Sequence, residues 1–270
     1  MKTYRPGWPV FYRQFLTDQS IKENDMTPDS LPQRRAIVFG GSRGIGAAIA
    51  RRLARHGADV ALTYVSAPDR AAEVAADIEA LGRRALAIRA DSAHADAIRA
   101  AADQAAAHFG GLDIAVVNAG ILRLGDVAAF GVEDLDAMLA VNVRGVFLAI
   151  QAAVAHLPRG GRIVTIGSNT AVRSNYPGSS VYSMTKAAVA VMVKGVAVDL
   201  APRGITINNV QPGPTVTDMT AEHIEAVRPL IPLQRAAEAD EIAALVAWLA
   251  SAESGYMTGS SLTIDGGMAL

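Results

Sequence analysis

Residues 36–50 read AIVFGGSRGIGAAIA, an apolar run followed by a glycine-rich turn and then by small residues of helical character. In a sheet of parallel strands, the first turn from strand to helix is where a pyrophosphate meets the helix N-terminus. Gly40, Gly44 and Gly46 have the spacing GxxxGxG, and the turn lacks the Gly-Lys-Ser/Thr ending of a P-loop. A helix start with small residues for packing is the alternative, but the position between a strand and a helix favours a dinucleotide site. The residues of this turn predicted to bind the cofactor are Gly40, Ser42, Arg43, Gly44, Ile45 and Gly46.

From Arg35 onward, short apolar runs alternate with alanine-rich stretches of helical period. The predicted strands read RAIVFG, ADVALTYV, RALAIRA, LDIAVVNA, GRIVTIGS, ITINNVQP and SSLTIDGG, and segments such as DRAAEVAADIEALG read as helices that end at a glycine. Strands that are apolar throughout are typical of a parallel sheet covered on both faces. We therefore predict one α/β domain over residues 33–270, a doubly wound, Rossmann-like parallel sheet of seven strands with helices on both faces.

The composition excludes several classes of protein and site. The 270 residues are 51% hydrophobic and 19% charged with a net charge of −1, so no basic surface for nucleic acid or for an anionic membrane is expected. Cysteine is absent and the 5 histidines show no metal-ligand spacing, so neither disulfides nor a metal site are expected. We find no apolar run of the length of a membrane span. A cytoplasmic protein that acts on small molecules is the expectation.

Residues 1–32 differ in composition from the rest of the chain, with prolines, scattered aromatic residues and a polar run before Pro32. No signal peptide is predicted there, because the longest apolar cluster is too short for a hydrophobic region of that kind. We expect a poorly ordered arm. The alternative is an arm that packs on a partner subunit through Trp8, Phe11 and Phe15.

The end of the second predicted strand distinguishes the two nicotinamide dinucleotides, because an acid at this place binds the ribose 2′-hydroxyl of NAD. The strand ends LTYVS, with Tyr64 and Ser66 at its edge, and the first acid, Asp69, follows in the next helix. A 2′-phosphate would meet no carboxylate there, and Arg43 can supply a charge-assisted contact. NADP(H) is therefore the predicted cofactor. Further contacts are expected beyond the third and fourth strands, from Asp91, Ser92, Asn118, Ala119 and Gly120.

Tyr182 and Lys186, in YSMTK, are four residues apart on a predicted helix and share one face. Carbonyl reduction needs an acid for the developing alkoxide, and a nearby ammonium favours the phenolate, so Lys186 is placed to lower the pKa of Tyr182. Ser168, at the end of the preceding strand, is suited to hydrogen-bond the carbonyl oxygen. These residues predict a reductase site, and an exposed helical pair without function is the alternative.

From about Arg35 to its C-terminus the chain resembles the short-chain dehydrogenase/reductase family in the motifs GGSRGIG, NAG, VNVRG, YSMTK, QPG and TGSSLTIDGG. The resemblance implies that Tyr182 is the general acid/base, that Lys186 lowers its pKa and holds the nicotinamide ribose, and that Ser168 orients the carbonyl. It also implies that Asn142 helps to hold a water relay to Lys186, although an asparagine inside a helix can instead bond its own backbone. The implied cofactor contacts in this half of the chain are Tyr182, Lys186, Pro212, Gly213, Thr215 and Thr217.

The resemblance extends to a lid and to assembly. The segment after QPG supplies Met219, Ile224, Val227, Leu230 and Ile231, which suit an apolar lid over a substrate or, alternatively, the packed face of an ordinary helix. Members of the family are usually homotetramers or homodimers, paired through the long helices that carry Asn142 and Tyr182 and through the C-terminal strand. We expect the same here.

Two departures from the family pattern affect the glycine turn and its neighbour. Phe39 stands where the family commonly has a threonine, and Val117 where it commonly has the first of two asparagines, so two side-chain hydrogen bonds that brace loops are lost. The combination resembles a branch of 3-oxoacyl-carrier-protein-reductase-like proteins that includes a cyclic-di-GMP-binding mediator of biofilm dispersal. Two functions remain open: NADPH-dependent reduction of a ketone or 3-oxoacyl carbonyl, and sequestration of cyclic di-GMP. The first is favoured, because a pure binding protein has no need of a tuned tyrosine.

Overall fold

The alternation of strands and helices produces a single parallel sheet with helices on both faces, which confirms the predicted fold class. The strands are Arg35–Phe39 (β1), Asp59–Tyr64 (β2), Ala85–Arg89 (β3), Ile114–Val117 (β4), Arg162–Ile166 (β5), Thr206–Pro212 (β6) and Ser261–Ile264 (β7). The structure is a computed structural model that describes residues 30–174, 176–218, 220–221 and 224–270, and within them these seven strands pair in the order β3-β2-β1-β4-β5-β6-β7. Each neighbouring pair is parallel.

The helices cover the two faces of the sheet. They are Gly44–Arg55 (α1), Pro68–Ala80 (α2), Ala95–Phe109 (α3), Val132–Leu139 (α4), Val146–Val154 (α5), Ser180–Leu200 (α6), Ile224–Val227 (α7) and Ala239–Ala250 (α8). In β1, Ala36 and Val38 belong to an apolar cluster with α1, α2 and α8, whereas Ile37 and Phe39 belong to a cluster with α3, α5 and α6. Because each face of β1 is covered, every position of the strand after Arg35 is apolar.

The order of the strands reverses beside β1, which pairs with β2 on one side and with β4 on the other. The chain builds outward from β1 to β3 and then crosses to β4. In a sheet of this kind a ligand crevice opens beyond the carboxyl ends of the strands at the reversal. Phe39 ends β1 at this place, and the glycine turn follows it directly.

Arginine side chains close the opposite edge of the sheet, where the helices end. Their guanidinium groups donate to carbonyl groups at or just beyond the C-terminal ends of several helices, which satisfies these acceptors and complements the negative end of each helix dipole. The contacts are Arg83 to Gly57 O (2.9 Å), Arg84 to Phe109 O (3.4 Å), Arg35 to Gly110 O (2.6 Å), Arg203 to Val154 O (3.2 Å) and Arg162 to Ser251 O (3.2 Å). These arginines therefore stabilise the fold at the ends of its helices.

Two helical segments, Val132–Val154 and Ser180–Arg203, are long and apolar enough to cross a membrane by length and composition alone. The expectation that no apolar run has the length of a membrane span is not met by these two segments. Both segments carry core residues against the sheet, such as Ile150 and Val193, so part of their apolar surface is used in folding.

The described end of the N-terminal segment is packed rather than loose. Leu31 is 1% exposed, lies in the same apolar cluster as α1, and donates its N–H to His56 O at 2.9 Å. The globular part therefore includes Leu31, which the predicted boundary at residue 33 left out. The rest of the predicted arm, residues 1–29 with Trp8, Phe11 and Phe15, lies outside the described residues.

Candidate active site

A cleft of about 610 Å³ opens at the carboxyl edge of the sheet, beside the reversal of strand order. It brings together residues that are far apart in the sequence. The predicted site residues that line it are Gly40, Ser42, Arg43, Gly44, Ile45, Tyr64, Ser66, Asp91, Ser92, Asn118, Ala119, Gly120, Ser168, Tyr182, Lys186, Pro212, Gly213, Thr215 and Thr217. Gly46 and Asn142 are predicted site residues that lie behind the cleft wall instead.

Gly46 provides space for a close backbone approach. A Cβ atom on this residue would lie 2.1 Å from Gly40 O and 2.5 Å from Asn118 Nδ2. These two atoms are hydrogen-bonded, since Asn118 Nδ2 donates to Gly40 O at 2.7 Å. Gly46 thus allows α1 to approach the bond that holds the glycine turn, and its contact with the cofactor stays a prediction.

Thr63 braces the turn in place of the threonine that Phe39 replaces. Gly40 N donates to Thr63 Oγ1 at 2.9 Å, and Gly41 N donates to Thr63 O at the same distance. Phe39 and Val117 themselves are buried in the core of the sheet. The two departures from the family pattern therefore leave the turn held from the neighbouring strand β2 and from Asn118.

The N-terminus of α1 is open to an anion. Arg43 is its N-cap residue, and among the described residues no side chain caps this helix and no acid stands in its first turn. The first N–H groups of a helix lack intrahelical acceptors, and they carry the positive end of the helix dipole. Together with the close approach that Gly40 and Gly44 permit, this donor set fits a pyrophosphate.

The rim formed by β2 carries hydroxyl and apolar groups. Within the described part of the chain, its contribution to the cleft is Thr63, Tyr64, Val65 and Ser66, none of which is acidic. Asp69 lies in the first turn of α2, as the sequence predicts. This rim therefore presents hydroxyl groups and no carboxylate, and Arg43, which is exposed, lines the same cleft.

Tyr182, Lys186 and Ser168 converge in the same cleft. Helix α6 carries the tyrosine and the lysine on successive turns, and Ser168 follows β5 and hydrogen-bonds the tyrosine hydroxyl. The Nζ atom of Lys186 lies 5.7 Å from the centroid of the Tyr182 ring and donates to Ile166 O at 2.9 Å. The amine is thus held between the tyrosine and the end of β5.

The pKa values of Tyr182 and Lys186 are both shifted by burial, and that of Tyr182 differs in direction from the prediction. Burial and, to a smaller extent, the nearby Tyr176 raise the pKa of Tyr182 to about 12, although the hydrogen bond with Ser168 acts in the opposite direction. Burial lowers the pKa of Lys186 to about 8. The predicted lowering of the tyrosine pKa is therefore not seen in this structure, because desolvation dominates and the amine bonds a carbonyl group rather than the phenol. Tyr182 is protonated at neutral pH, which is the form that an acid catalyst needs.

Asn142 fixes the wall of the cleft. It lies in a wide π turn, Ala140–Gly145, and is 0% exposed. Its Oδ1 accepts from Ile121 N at 2.9 Å, and its Nδ2 donates to Ile121 O at 2.8 Å and to Thr185 Oγ1 at 3.2 Å. The carboxamide thus joins the segment after β4 to helix α6, rather than bonding its own backbone. A Cβ on Gly120 would lie 3.4 Å from both Asn142 Oδ1 and Lys186 Nζ, so both groups border Gly120.

The loop after β6 contacts both α1 and α2. Thr215 and Thr217 line the cleft, and a Cβ on Gly44 would lie 3.3 Å from Thr217 Cγ2. Asp218, which also lines the cleft, pairs with Arg70 in the first turn of α2. The loop is therefore held close to the glycine turn and to the start of α2.

The predicted lid residues do not share one environment. Ile231 is buried, Leu230 is exposed, Ile224 and Val227 bound the short helix α7, and Met219 lies outside the described residues. Among the described residues no group of three or more histidine, aspartate or glutamate side chains could hold a metal ion.

The cleft also contains residues that the sequence did not single out. They are Thr63, Val65, Ala67, Ala90, Ala93, Ile121, Ala137, Val141, Ile166, Gly167, Asp218 and Thr220. Most of them lie at or just beyond the carboxyl end of a strand, so a search of every strand end would have found them. Ala137 and Val141 belong to α4 and to the π turn, and no local pattern marks them.

Comparison with known proteins finds similarity over the whole domain. The family model described as enoyl-(acyl carrier protein) reductase matches residues 40–269. The short chain dehydrogenase/reductase AacuN of Aspergillus aculeatus is 40% identical over 258 residues, 90% of this chain and 98% of that protein. The cyclic-di-GMP-binding biofilm dispersal mediator protein of Escherichia coli is 38% identical over 236 residues, 86% of this chain and 96% of that protein. A solved structure of a short chain dehydrogenase from Burkholderia cenocepacia in complex with NADP is 52% identical, with a TM-score of 0.87, and the match covers 89% of this chain and 100% of that chain.

Proposed function

Because this chain belongs to the short-chain dehydrogenase/reductase family, we propose that it is an NADPH-dependent reductase of a ketone or of a 3-oxoacyl-type carbonyl. One observation carries the proposal: two complementary features share one cleft. The glycine turn with the open N-terminus of α1 suits a pyrophosphate, and Ser168, Tyr182 and Lys186 converge beside it. A dinucleotide and a carbonyl substrate can therefore lie next to each other.

We assign the parts of the cofactor to the residues around the cleft. NADPH, when bound, supplies the hydride that carbonyl reduction requires. Its 2′-phosphate is assigned to Arg43 and to the rim of Tyr64 and Ser66, and its nicotinamide to the side of Thr215 and Thr217. The rim without an acid and the NADP of the Burkholderia cenocepacia relative support this assignment.

The residues of the chain then control the proton. Tyr182, which its pKa of about 12 keeps protonated, donates its proton to the carbonyl oxygen as charge develops there. Ser168 donates a hydrogen bond to the same oxygen and polarises the carbonyl. Lys186 is charged below its pKa of about 8 and stabilises the phenolate that the proton leaves behind. Asn142 acts as a positioning residue, since its carboxamide holds Ile121 and helix α6 together.

The alternative function, sequestration of cyclic di-GMP, is not favoured. Its support is the 38% identity to the Escherichia coli mediator protein. A binding protein has no use for a buried tyrosine beside a lysine, whereas a reductase requires both. A calorimetric titration with cyclic di-GMP, with and without NADPH, checks this alternative, and competition between the two ligands would indicate a shared cleft.

Assembly and location complete the proposal. On α5 and α6, the side chains of Phe147 (46% exposed), Val191 (67%) and Val198 (74%) present an apolar surface that a subunit contact would cover. We therefore propose a homotetramer, or a homodimer, built through these helices, which light scattering measures directly. A cytoplasmic location agrees with the absence of cysteine.

The proposal is tested by turnover of the purified protein. NADPH and NADH are supplied in turn with a panel of cyclic ketones, aryl ketones and 3-oxoacyl thioesters, and loss of reduced cofactor is compared with formation of the alcohol. We expect oxidation of NADPH in equal amount to the alcohol formed, with NADPH preferred over NADH by about tenfold or more. No turnover with any of these carbonyls would contradict the proposal.

A further inference from the structure

Ser168 is held by a residue that does not line the cleft. Thr170 donates twice to Ser168 Oγ, from its backbone N–H at 3.2 Å and from its hydroxyl at 3.0 Å. Both residues are 7% exposed. Within the described chain Thr170 is not among the residues that face the cleft, so it acts on the site only through Ser168.

These two bonds restrict what the serine hydroxyl can do. A hydroxyl group has one proton and two lone pairs. The N–H of Thr170 can only donate, and the Thr170 hydroxyl donates as well, so both lone pairs of Ser168 Oγ are occupied. The proton of Ser168 is left to point towards Tyr182 and the cleft, where the carbonyl oxygen would lie.

The backbone bond alone is sufficient for local structure. Ser168 is the N-cap of the short turn Asn169–Ala171, and the N–H of Thr170 satisfies that cap. The threonine hydroxyl therefore adds a second donor that the turn does not require. Because a chain of hydrogen bonds polarises its members, this second donor makes the Ser168 proton a stronger donor to an oxygen in the cleft.

We propose that Thr170 is a positioning residue for reduction, which holds Ser168 as a hydrogen-bond donor to the carbonyl oxygen. This inference rests on the proposed function and adds a residue that sets the direction in which Ser168 donates its hydrogen bond. Valine at position 170 has nearly the shape of threonine and keeps the backbone bond, so Thr170→Val removes only the second donor. The serine is then free to rotate and to donate its proton elsewhere.

The experiment compares Thr170→Val, Thr170→Ser, Ser168→Ala and the double variant Ser168→Ala/Thr170→Val in full-length protein with NADPH. We expect Thr170→Val to lower kcat about tenfold with little change in the affinity for NADPH. Thr170→Ser keeps the hydroxyl group and should retain most of the wild-type rate. The loss should disappear in the Ser168→Ala background, because Thr170 acts through the serine. The basic limb of the pH profile of kcat supplies a further readout, because Tyr182 must be protonated to act as the acid. The apparent pKa of Tyr182 should rise in Thr170→Val, since the hydrogen bond with Ser168 lowers it.

Thr165→Val is the matched control. Thr165 is 0% exposed on β5, and its hydroxyl donates to Asn209 Oδ1 at 2.9 Å, away from Ser168. This control should lower the unfolding temperature and leave the pH profile unchanged. If Thr170→Val does not fold, Thr170→Ala, which also lacks the hydroxyl, is compared with Thr170→Ser in its place.

The outcomes separate the two proposals. A wild-type rate in Thr170→Val, or an equal loss in the Ser168→Ala background, overturns the role of Thr170 and leaves the reductase function intact. A wild-type protein that reduces no carbonyl overturns both proposals, because the role of Thr170 is defined by that reaction.

Discussion

Gly46→Ala tests the packing of the glycine turn. In the wild-type protein a Cβ at position 46 would lie 2.1 Å from Gly40 O and 2.5 Å from Asn118 Nδ2, where real Cβ contacts are essentially never below 3.0 Å. Gly40 O and the new methyl group must therefore move apart by about 0.9 Å in a close-packed interior. The bond from Asn118 Nδ2 to Gly40 O lies directly in the path of this displacement.

The cost follows from three contributions. Overpacking costs about 1–3 kcal/mol, and a buried polar group that loses its partner costs about 1–3 kcal/mol. The better helix propensity of alanine returns about 1 kcal/mol. We expect a net loss of about 1–5 kcal/mol in the free energy of unfolding, together with a loss of about 100-fold in the affinity for NADPH, because the displaced turn misplaces the cofactor.

Denaturant unfolding and cofactor titration measure the two effects. The matched control is Gly82→Ala, where the φ angle is +73° and no atom lies within 4 Å of the added Cβ. It should show only the backbone strain of a left-handed residue, about 1 kcal/mol, and unchanged NADPH binding. A Gly46→Ala protein with wild-type stability and NADPH affinity would refute the reasoning.

Three further predictions concern charge. Burial lowers the pKa of Lys186 from 10.5 to about 8, so its charge destabilises the fold at every pH below 8, and this cost is relieved as the pH rises towards 10.5. We expect Lys186→Met to abolish turnover yet to raise the free energy of unfolding at neutral pH by about 2 kcal/mol, a figure that allows for the carbonyl group left without its donor. A gain in the free energy of unfolding that does not shrink in denaturant titrations at alkaline pH would contradict this. Arg43→Met should weaken NADPH binding about 10- to 100-fold and leave NADH binding unchanged, as measured by cofactor fluorescence; equal losses for both cofactors would place the 2′-phosphate elsewhere. Burial raises the pKa of Asp113, but the hydrogen bonds from Arg35 outweigh it and hold the pKa below its ordinary value. The resulting stabilisation is present at neutral pH and is lost as the pH falls through this lowered pKa. Asp113→Asn should therefore lower the free energy of unfolding by about 1–3 kcal/mol at neutral pH and by less in acid. A difference between the two proteins that stays constant across an acid titration would argue against this.

The fold follows from patterns that are local in the sequence. Each strand of a doubly wound sheet is apolar on both faces, and β1 shows this in Ala36–Phe39 without knowledge of its neighbours. The spacing of Tyr182 and Lys186 likewise places them on one helix face. A local pattern therefore sufficed for the element types and for the residues at the strand ends.

Features that depend on assembled neighbours could not be predicted in this way. Thr63 braces Gly40 only because β2 pairs with β1, and Asn142 reaches Ile121 and Thr185 across the interior. The pKa of Tyr182 depends on its burial, which is a property of the folded cleft. Residues that act through tertiary contacts leave no periodic signal in the chain.

The proton donor is the centre of the proposed reaction. The most direct measurement is the single-turnover rate of reduction of a ketone by NADPH in the wild-type protein and in Tyr182→Phe, with NADPH affinity and the unfolding midpoint measured on both. We predict that the rate falls by about 1,000-fold while affinity and midpoint are unchanged, since only the donated proton is removed. A Tyr182→Phe protein that binds NADPH normally and keeps the wild-type rate would contradict the assignment of Tyr182 as the acid.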